Sequence, residues 1–309
     1  MRVRHAARST VERVLLLSGI PRITRWRKRE DVLVLAYHNI VPHGEASGGD
    51  RSLHLPQRAF AQQLDTLRSM FDILPLDTLL SPAGAAPRTR GGRAGVVITF
   101  DDAYRGAVTA GVVELARRGM PATIFVPPAY VSGGVFWWDV LSPGDIGGLP
   151  LAERERALHE LSGRGDQILA SAARSCTALA IPPEHARCAS ESELRRAAAT
   201  PGITLGSHTW SHPNLAALPP QELAEELARP LAWLRERFGS VLPCLSYPYG
   251  LSSPEVERAA AAAGYRAALR IDGGWLPRAA MNHFALPRLN IPAGVSLQGF
   301  RLRCAGLLT

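Results

Sequence analysis

Val96-Val97-Ile98-Thr99-Phe100-Asp101-Asp102 is the stretch on which the fold turns. Five residues, mostly β-branched and apolar, run into two adjacent carboxylates. A run without apolar/polar alternation reads as a strand covered on both faces, as in a parallel sheet. The carboxylates then stand at its C-terminal end, where α/β folds bind ligands because the βα loops open there. Two neighbouring acids repel each other unless a cation or a shared proton compensates. Asp102 reads equally well as the N-cap of the following helix, accepting a backbone N–H.

Working outward, similar strand runs occupy residues 31–38 (ending in Tyr37-His38), 71–76, 121–126, 203–207, 241–246, 265–271 and 284–291. Helical periodicity fills residues 56–70, 104–118, 220–238, 254–263 and 296–307. Pro230 predicts a kink in the third of these, and Ser253 with Pro254 marks the start of the fourth. Residues 81–94 are a polar connection. Strand and helix alternate about seven times, which predicts an α/β barrel-like or doubly wound sheet. Residues of about 140–200 interrupt the rhythm. Helical patterns at 151–173 and 190–199, the second opening on the capping box Ser190/Glu193, read as an insertion over one end of the fold.

The 309 residues suffice for one large α/β domain. The formal charge of +8 is uneven: residues 1–30 hold nine arginines and lysines against Glu12 and Glu30. A basic arm, residues 1–30, therefore precedes a nearly neutral body, residues 31–309, whose charge gives no reason to expect nucleic acid as a partner. Cys176, Cys188, Cys244 and Cys304 form no C-x-x-C pair, so neither a zinc ribbon nor a disulfide framework is expected. Reduced thiols fit a cytoplasmic location. The apolar run Val14 to Leu17 is too short for a signal segment or a membrane span. Residues 9–20 fit an amphipathic helix with Val11, Val14, Leu15 and Leu17 flanked by arginine. Such a helix either docks on the domain or touches an anionic membrane surface peripherally.

A second constellation follows the 203–207 strand: Gly206-Ser207-His208-Thr209-Trp210-Ser211-His212. Imidazoles four apart share a helix face or converge in a tight turn, and suit a divalent metal through neutral ring nitrogens. One oxygen of Asp102 would complete a two-His-one-carboxylate set with open positions. An isolated H-x-x-x-H is a weak signal; its origin at the same sheet edge as the Asp pair strengthens it. Leu245-Ser246-Tyr247-Pro248-Tyr249-Gly250 also follows a strand. Pro248 pre-sets a turn and Gly250 permits positive φ. The segment is either an ordinary turn or one that aims a backbone N–H near Tyr249 at a developing oxyanion, with tyrosine rings walling a sugar-sized groove. Trp137, Trp138 and Asp139 read as core aromatics and a cap, or as a stacking platform for a sugar.

In this order and at these separations, Thr99-Phe100-Asp101-Asp102, His208-x-x-x-His212 and Tyr247-Pro248-Tyr249-Gly250 resemble the motifs of the polysaccharide deacetylase family. These are the NodB-homology enzymes of carbohydrate esterase family 4. Tyr37-His38 and Leu286-Pro287-Arg288 resemble features of bacterial members, and the resemblance spans roughly residues 31–300. It implies a distorted (β/α)7-type barrel with a helical insertion. It also implies a metal-dependent hydrolase that removes an N-acetyl group from a sugar or glycan. One divalent ion is implied, Zn first, with Co, Ni, Fe and Mn as alternatives, on Asp102, His208 and His212. Asp101 would be the general base and the Tyr249 N–H an oxyanion donor, with Tyr247, Pro248, Trp138 and His38 around the substrate.

The chain departs from the family pattern in three places. The usual arginine of the third motif is Leu245, and Arg288 is read as its replacement, orienting Asp101. The usual glycine after the Asp pair is Ala103. The general-acid histidine has no clean match; His283 is the candidate, an exposed turn histidine being the other reading, and His38 is the alternative acid. An O-acetyl esterase, another small-amide hydrolase, or a non-catalytic carbohydrate-binding descendant are the competing functions.

Overall fold

The structure, a computed structural model, describes residues 11–80, 92–142, 149–277 and 282–308. The first ten residues of the basic arm, most of the polar connection at 81–94, and residues 143–148 of the insertion lie outside the described residues.

In chain order the strands are β1 (Val32–Tyr37), β2 (Asn39–Val41), β3 (His54–Pro56), β4 (Asp72–Ile73), β5 (Gly95–Phe100) and β6 (Ala122–Val126). They continue with β7 (Ile203–Ser207), β8 (Cys244–Ser246), β9 (Ala267–Leu269), β10 (Trp275–Leu276) and β11 (Leu289–Asn290). β1 and β5 are buried at every position, as their unbroken apolar runs require. They pair in parallel from Val32↔Gly95 to Tyr37↔Phe100, which sets His38 level with Asp101. β6, β7, β8 and β9 follow, each parallel to the strand before it.

The sheet then curls back on itself. β9 bridges to Leu286, and the chain runs on into β11, which pairs in parallel with β1 through Leu35↔Leu289 and Ala36↔Asn290. β1, β5, β6, β7, β8, β9 and β11 are therefore the staves of a distorted (β/α) barrel. The distortion has a local cause: β11 reaches only the C-terminal half of β1. The N-terminal half pairs instead with the antiparallel β10, through Val32↔Leu276 and Leu33↔Trp275.

Several elements differ from the sequence expectation. The strand expected at 71–76 shortens to β4, since Pro75 ends the ladder by lacking a donor. The helix expected at 104–118 contains a π-helical stretch, Ala107–Gly111, ahead of Val112–Ala116. The single helix expected at 151–173 is two, Leu151–Glu160 and Gly165–Arg174, parted where Ser162 and Gly163 take φ of 51° and 65°. The Ser190/Glu193 capping box forms at the helix Glu191–Ala198. Pro220–Phe238 runs through Pro230 as one helix.

Candidate active site

The loops that leave β5, β7 and β8 meet at the C-terminal end of the barrel. Their backbones are strained. Of the eight non-glycine residues with positive φ among the described residues, five lie on these loops: Asp102 (67°), Ala103 (48°), Thr209 (64°), His212 (60°) and Tyr249 (59°). A left-handed non-glycine residue costs on the order of 1–3 kcal/mol and persists where its surroundings over-determine it. Ala103, in place of the usual glycine, thus carries its Cβ through a turn that glycine would make without strain.

The turns bring three ligand-type atoms together. His208 Nε2 and His212 Nε2 each lie 3.3 Å from Asp102 Oδ1 and 3.1 Å from one another. All three residues are buried. His208 Nδ1 donates to the Ser246 carbonyl at 2.8 Å, which fixes its tautomer and leaves a lone pair on Nε2. Burial, with His208 beside it, pushes the His212 imidazole down to about 3, and burial lowers His208 as well, so both rings are neutral. Burial also pushes the Asp102 carboxyl up to about 6, against the pull of His212 and His38. Asp102 Oδ1 is buried with no hydrogen-bond donor. The His208 lone pair, the His212 Nε2 that faces it and an orphaned carboxylate oxygen at these separations fit adjacent ligands of a cation with bonds of about 2.0–2.1 Å. His212 then carries its proton on the unpartnered Nδ1.

Asp101 sits beside this cluster under different control. Arg288 Nη1 and Nη2 donate to its two oxygens at 2.8 Å each. The same guanidinium donates to Thr99 Oγ1, Ser246 Oγ and the Arg270 carbonyl, at 3.0, 2.7 and 3.1 Å. Both residues are essentially inaccessible to solvent. Burial alone would raise the Asp101 carboxyl. The Arg288 guanidinium, with His208 adding to it, instead holds it well below the usual carboxylate range. Two neighbouring acids therefore receive opposite environments, one held ionised and one protonatable.

A cavity of ≈ 240 Å³ opens over the cluster. His38, Asp101, Asp102, His208 and His212 line its floor, and Trp138 and Tyr249 its side. Burial lowers the His38 imidazole, although both carboxylates pull it up. Trp138 is set by a chain of hydrogen bonds. Its Nε1 donates to Tyr104 Oη at 2.8 Å, and Tyr104 donates to Asp139 Oδ2 at 2.6 Å. The Asp139 Oδ1 accepts from His54 Nε2 at 2.8 Å. The Tyr249 hydroxyl donates to the Gly163 carbonyl and accepts from Trp137 Nε1, at 2.9 and 3.0 Å.

Three residues read from sequence as part of the site do not reach the cavity. Tyr247 is fully buried beneath it, packed among Leu227, Leu231 and Tyr265, with its hydroxyl on the Phe284 carbonyl at 2.9 Å. In an extended segment two residues this far apart would share a face. The turn Pro248–Gly250, with Tyr249 at φ of 59°, breaks that register and leaves only Tyr249 on the cavity. Pro248 is buried in the turn between them. His283 lies where the chain enters the closing stave, its carbonyl accepting from the Ala268 N–H at 2.7 Å, and not on the cavity wall. Sequence reading missed Arg154 and Leu158, which reach the cavity from the helix Leu151–Glu160 of the insertion, and Asn290, which ends β11. Nothing in a solvated helical pattern marks which residues turn toward a distant loop. Asn290 was findable as the residue where a strand ends.

The polysaccharide deacetylase family model matches residues 88–268, and the chain belongs to that family. No curated protein matches its sequence. Solved structures share its fold. IcaB from Ammonifex degensii is 19% identical, with a TM-score of 0.60 over 90% of this chain and 96% of its own. The Streptococcus pyogenes deacetylase PplD, in complex with acetate, is 16% identical, with a TM-score of 0.60 over 87% and 96%. A de-N-acetylase from Aggregatibacter actinomycetemcomitans is 13% identical, with a TM-score of 0.62 over 88% and 99%.

Proposed function

We propose that this deacetylase-family chain is a metal-dependent hydrolase that removes an N-acetyl group from a sugar or glycan. The observation that carries the reading is the division of labour between Asp101, clamped ionised by Arg288, and Asp102, turned toward two neutral imidazoles. A divalent cation, Zn or one of Co, Ni, Fe and Mn, would be held by Asp102 Oδ1, His208 Nε2 and His212 Nε2, where it would polarise the acetamide and acidify water.

The chain's own groups supply the proton traffic. Asp101, ionised at any working pH, accepts the proton of the water that attacks the acetamide carbonyl. Arg288 keeps that carboxylate in one orientation with two parallel hydrogen bonds. Tyr249 lines the cavity from a left-handed turn, and its backbone N–H would be the oxyanion donor. His38, neutral and lining the cavity beside both carboxylates, takes the place of His283 as the group that accepts the proton gained by Asp101 and passes it to the leaving amine. The cavity is smaller than the roughly 300–1,000 Å³ of drug-sized sites, a size that suits one acetamido sugar. Trp138 would form its apolar side, and Arg154 and Leu158 the wall supplied by the insertion. The shared fold with a de-N-acetylase favours an amide over an ester.

The test is acetate release from paired N- and O-acetylated glycans, before chelation, after it, and after a divalent ion is restored. N-acetyl substrates should release acetate, lose it on chelation and regain it with metal. His38→Ala should lower kcat by about 10²–10⁴, and His283→Ala by less than about twofold. Release from O-acetyl esters alone, or activity that survives chelation, would overturn the reading. Glycan affinity without release at saturating metal would make the chain a binding descendant.

A further inference from the structure

The N-terminal helices show an apolar face that the barrel leaves uncovered. Residues 11–17 and Ile20–Arg27 are helical and meet at Gly19, whose φ of 76° favours glycine. One side of the pair is fastened to the body. Glu12 accepts from Ser296 Oγ at 2.5 Å, Pro21 is buried, and Lys28 Nζ lies 5.0 Å from the Trp275 ring centre. The other side presents Val11, Val14, Leu17, Ile20, Ile23 and Trp26, each between 43% and 77% exposed. They are six of the twelve exposed large hydrophobic residues among the described residues, gathered into one short segment. Scattered apolar residues need no explanation; a gathered set does.

In each helix the three apolar residues recur every third position and so cover an arc of about 120°. Arg13, Arg22 and Arg27 are exposed among them, and the Arg29 guanidinium lies 4.7 Å from the Trp26 ring. The acids of this segment are Glu12, turned to the body, and Glu30. A helix lying in a bilayer interface has this composition: apolar side chains enter the acyl boundary while guanidinium groups meet anionic headgroups. A second copy of the chain would bring the same arginines against one another. No helix among the described residues is long and apolar enough to cross a membrane, so the contact is peripheral. Trp275 pairs with Leu33 near the start of β1, so the second helix ends, at Lys28, near the end of the barrel opposite the site loops. Glu12 of the first meets Ser296, the N-cap of the helix that follows β11.

We propose that the face formed by Val11, Val14, Leu17, Ile20, Ile23 and Trp26 docks this protein on an anionic membrane surface. The test is cosedimentation of the full chain with phosphatidylcholine vesicles, with and without phosphatidylglycerol. Binding should require phosphatidylglycerol and weaken as salt rises. The triple variant Leu17→Glu/Ile23→Glu/Trp26→Glu should lower it more than about a hundredfold, with an unchanged melting temperature showing that the barrel is intact. Absence of binding to anionic vesicles, or binding that the variant retains, would overturn the proposal. A dimer in sedimentation velocity that the variant disperses, without vesicle binding, would assign the face to a second copy and overturn it equally.

Discussion

Arg288 and Asp101 are separated by 187 positions in sequence and by 2.8 Å in space. Their pairing shows why Leu245 is tolerated where the family usually carries an arginine: the guanidinium arrives from the closing stave instead. A buried ion pair contributes less by existing than it costs to break, because removing one partner strands a buried charge. Arg288→Met should therefore lower stability at neutral pH by about 3–5 kcal/mol and reduce kcat by at least about tenfold. The pH dependence has a definite sign. The Asp101 carboxyl is depressed on folding, so the stabilisation it brings is complete above its unfolded value of about 3.9. It is lost as pH falls from there through the folded value. In Arg288→Met that carboxyl rises, and the acid limbs of both stability and rate should move to higher pH. Urea unfolding and pH–rate profiles check this. Superimposable profiles for the two proteins would remove Arg288 from the account.

The insertion acts at the scale of elements. Its two helices meet at Ser162-Gly163, and this turn is fastened to two of the loops that carry the candidate site. The Asn214 N–H donates to the Ser162 carbonyl at 2.8 Å, and the Tyr249 hydroxyl to the Gly163 carbonyl at 2.9 Å. Arg164 pairs with Glu222 on the helix that follows. The insertion is thus a fixed wall that holds Arg154 and Leu158 over the cavity. Gly163 is where this joint is tightest: its φ is positive, and a Cβ there would lie 2.7 Å from Tyr249 Cε2. Gly163→Ala should cost about 1–3 kcal/mol through overpacking and backbone strain. It should also raise KM and lower kcat together, since it displaces the wall and Tyr249, whose N–H is the proposed oxyanion donor. Calorimetry and steady-state kinetics check this, and an unaltered KM would show that the wall does not touch substrate.

At the scale of the whole molecule, what the sequence revealed divides along a physical line. β1, β5 and β6 were legible because strands buried at every position are largely apolar. The acid pair was legible because it follows such a strand, and both histidines because they follow the strand β7 at the same sheet edge. The membership of Tyr247 and His283 was misjudged because proximity in sequence does not say which face a side chain takes. Arg154, Leu158 and the split of the 151–173 helix were not legible, since they depend on contacts with Tyr249 and Asn214 that no local pattern encodes. The central claim is that Asp102 holds a cation while Asp101 moves a proton. It is tested most directly by measuring metal content and acetate release together on Asp101→Asn, with His208→Ala alongside. Asp101→Asn should keep its metal and lose activity by about 10²–10⁴, while His208→Ala loses the metal. A fully active Asp101→Asn, or a His208→Ala protein with unchanged metal content, would contradict the account.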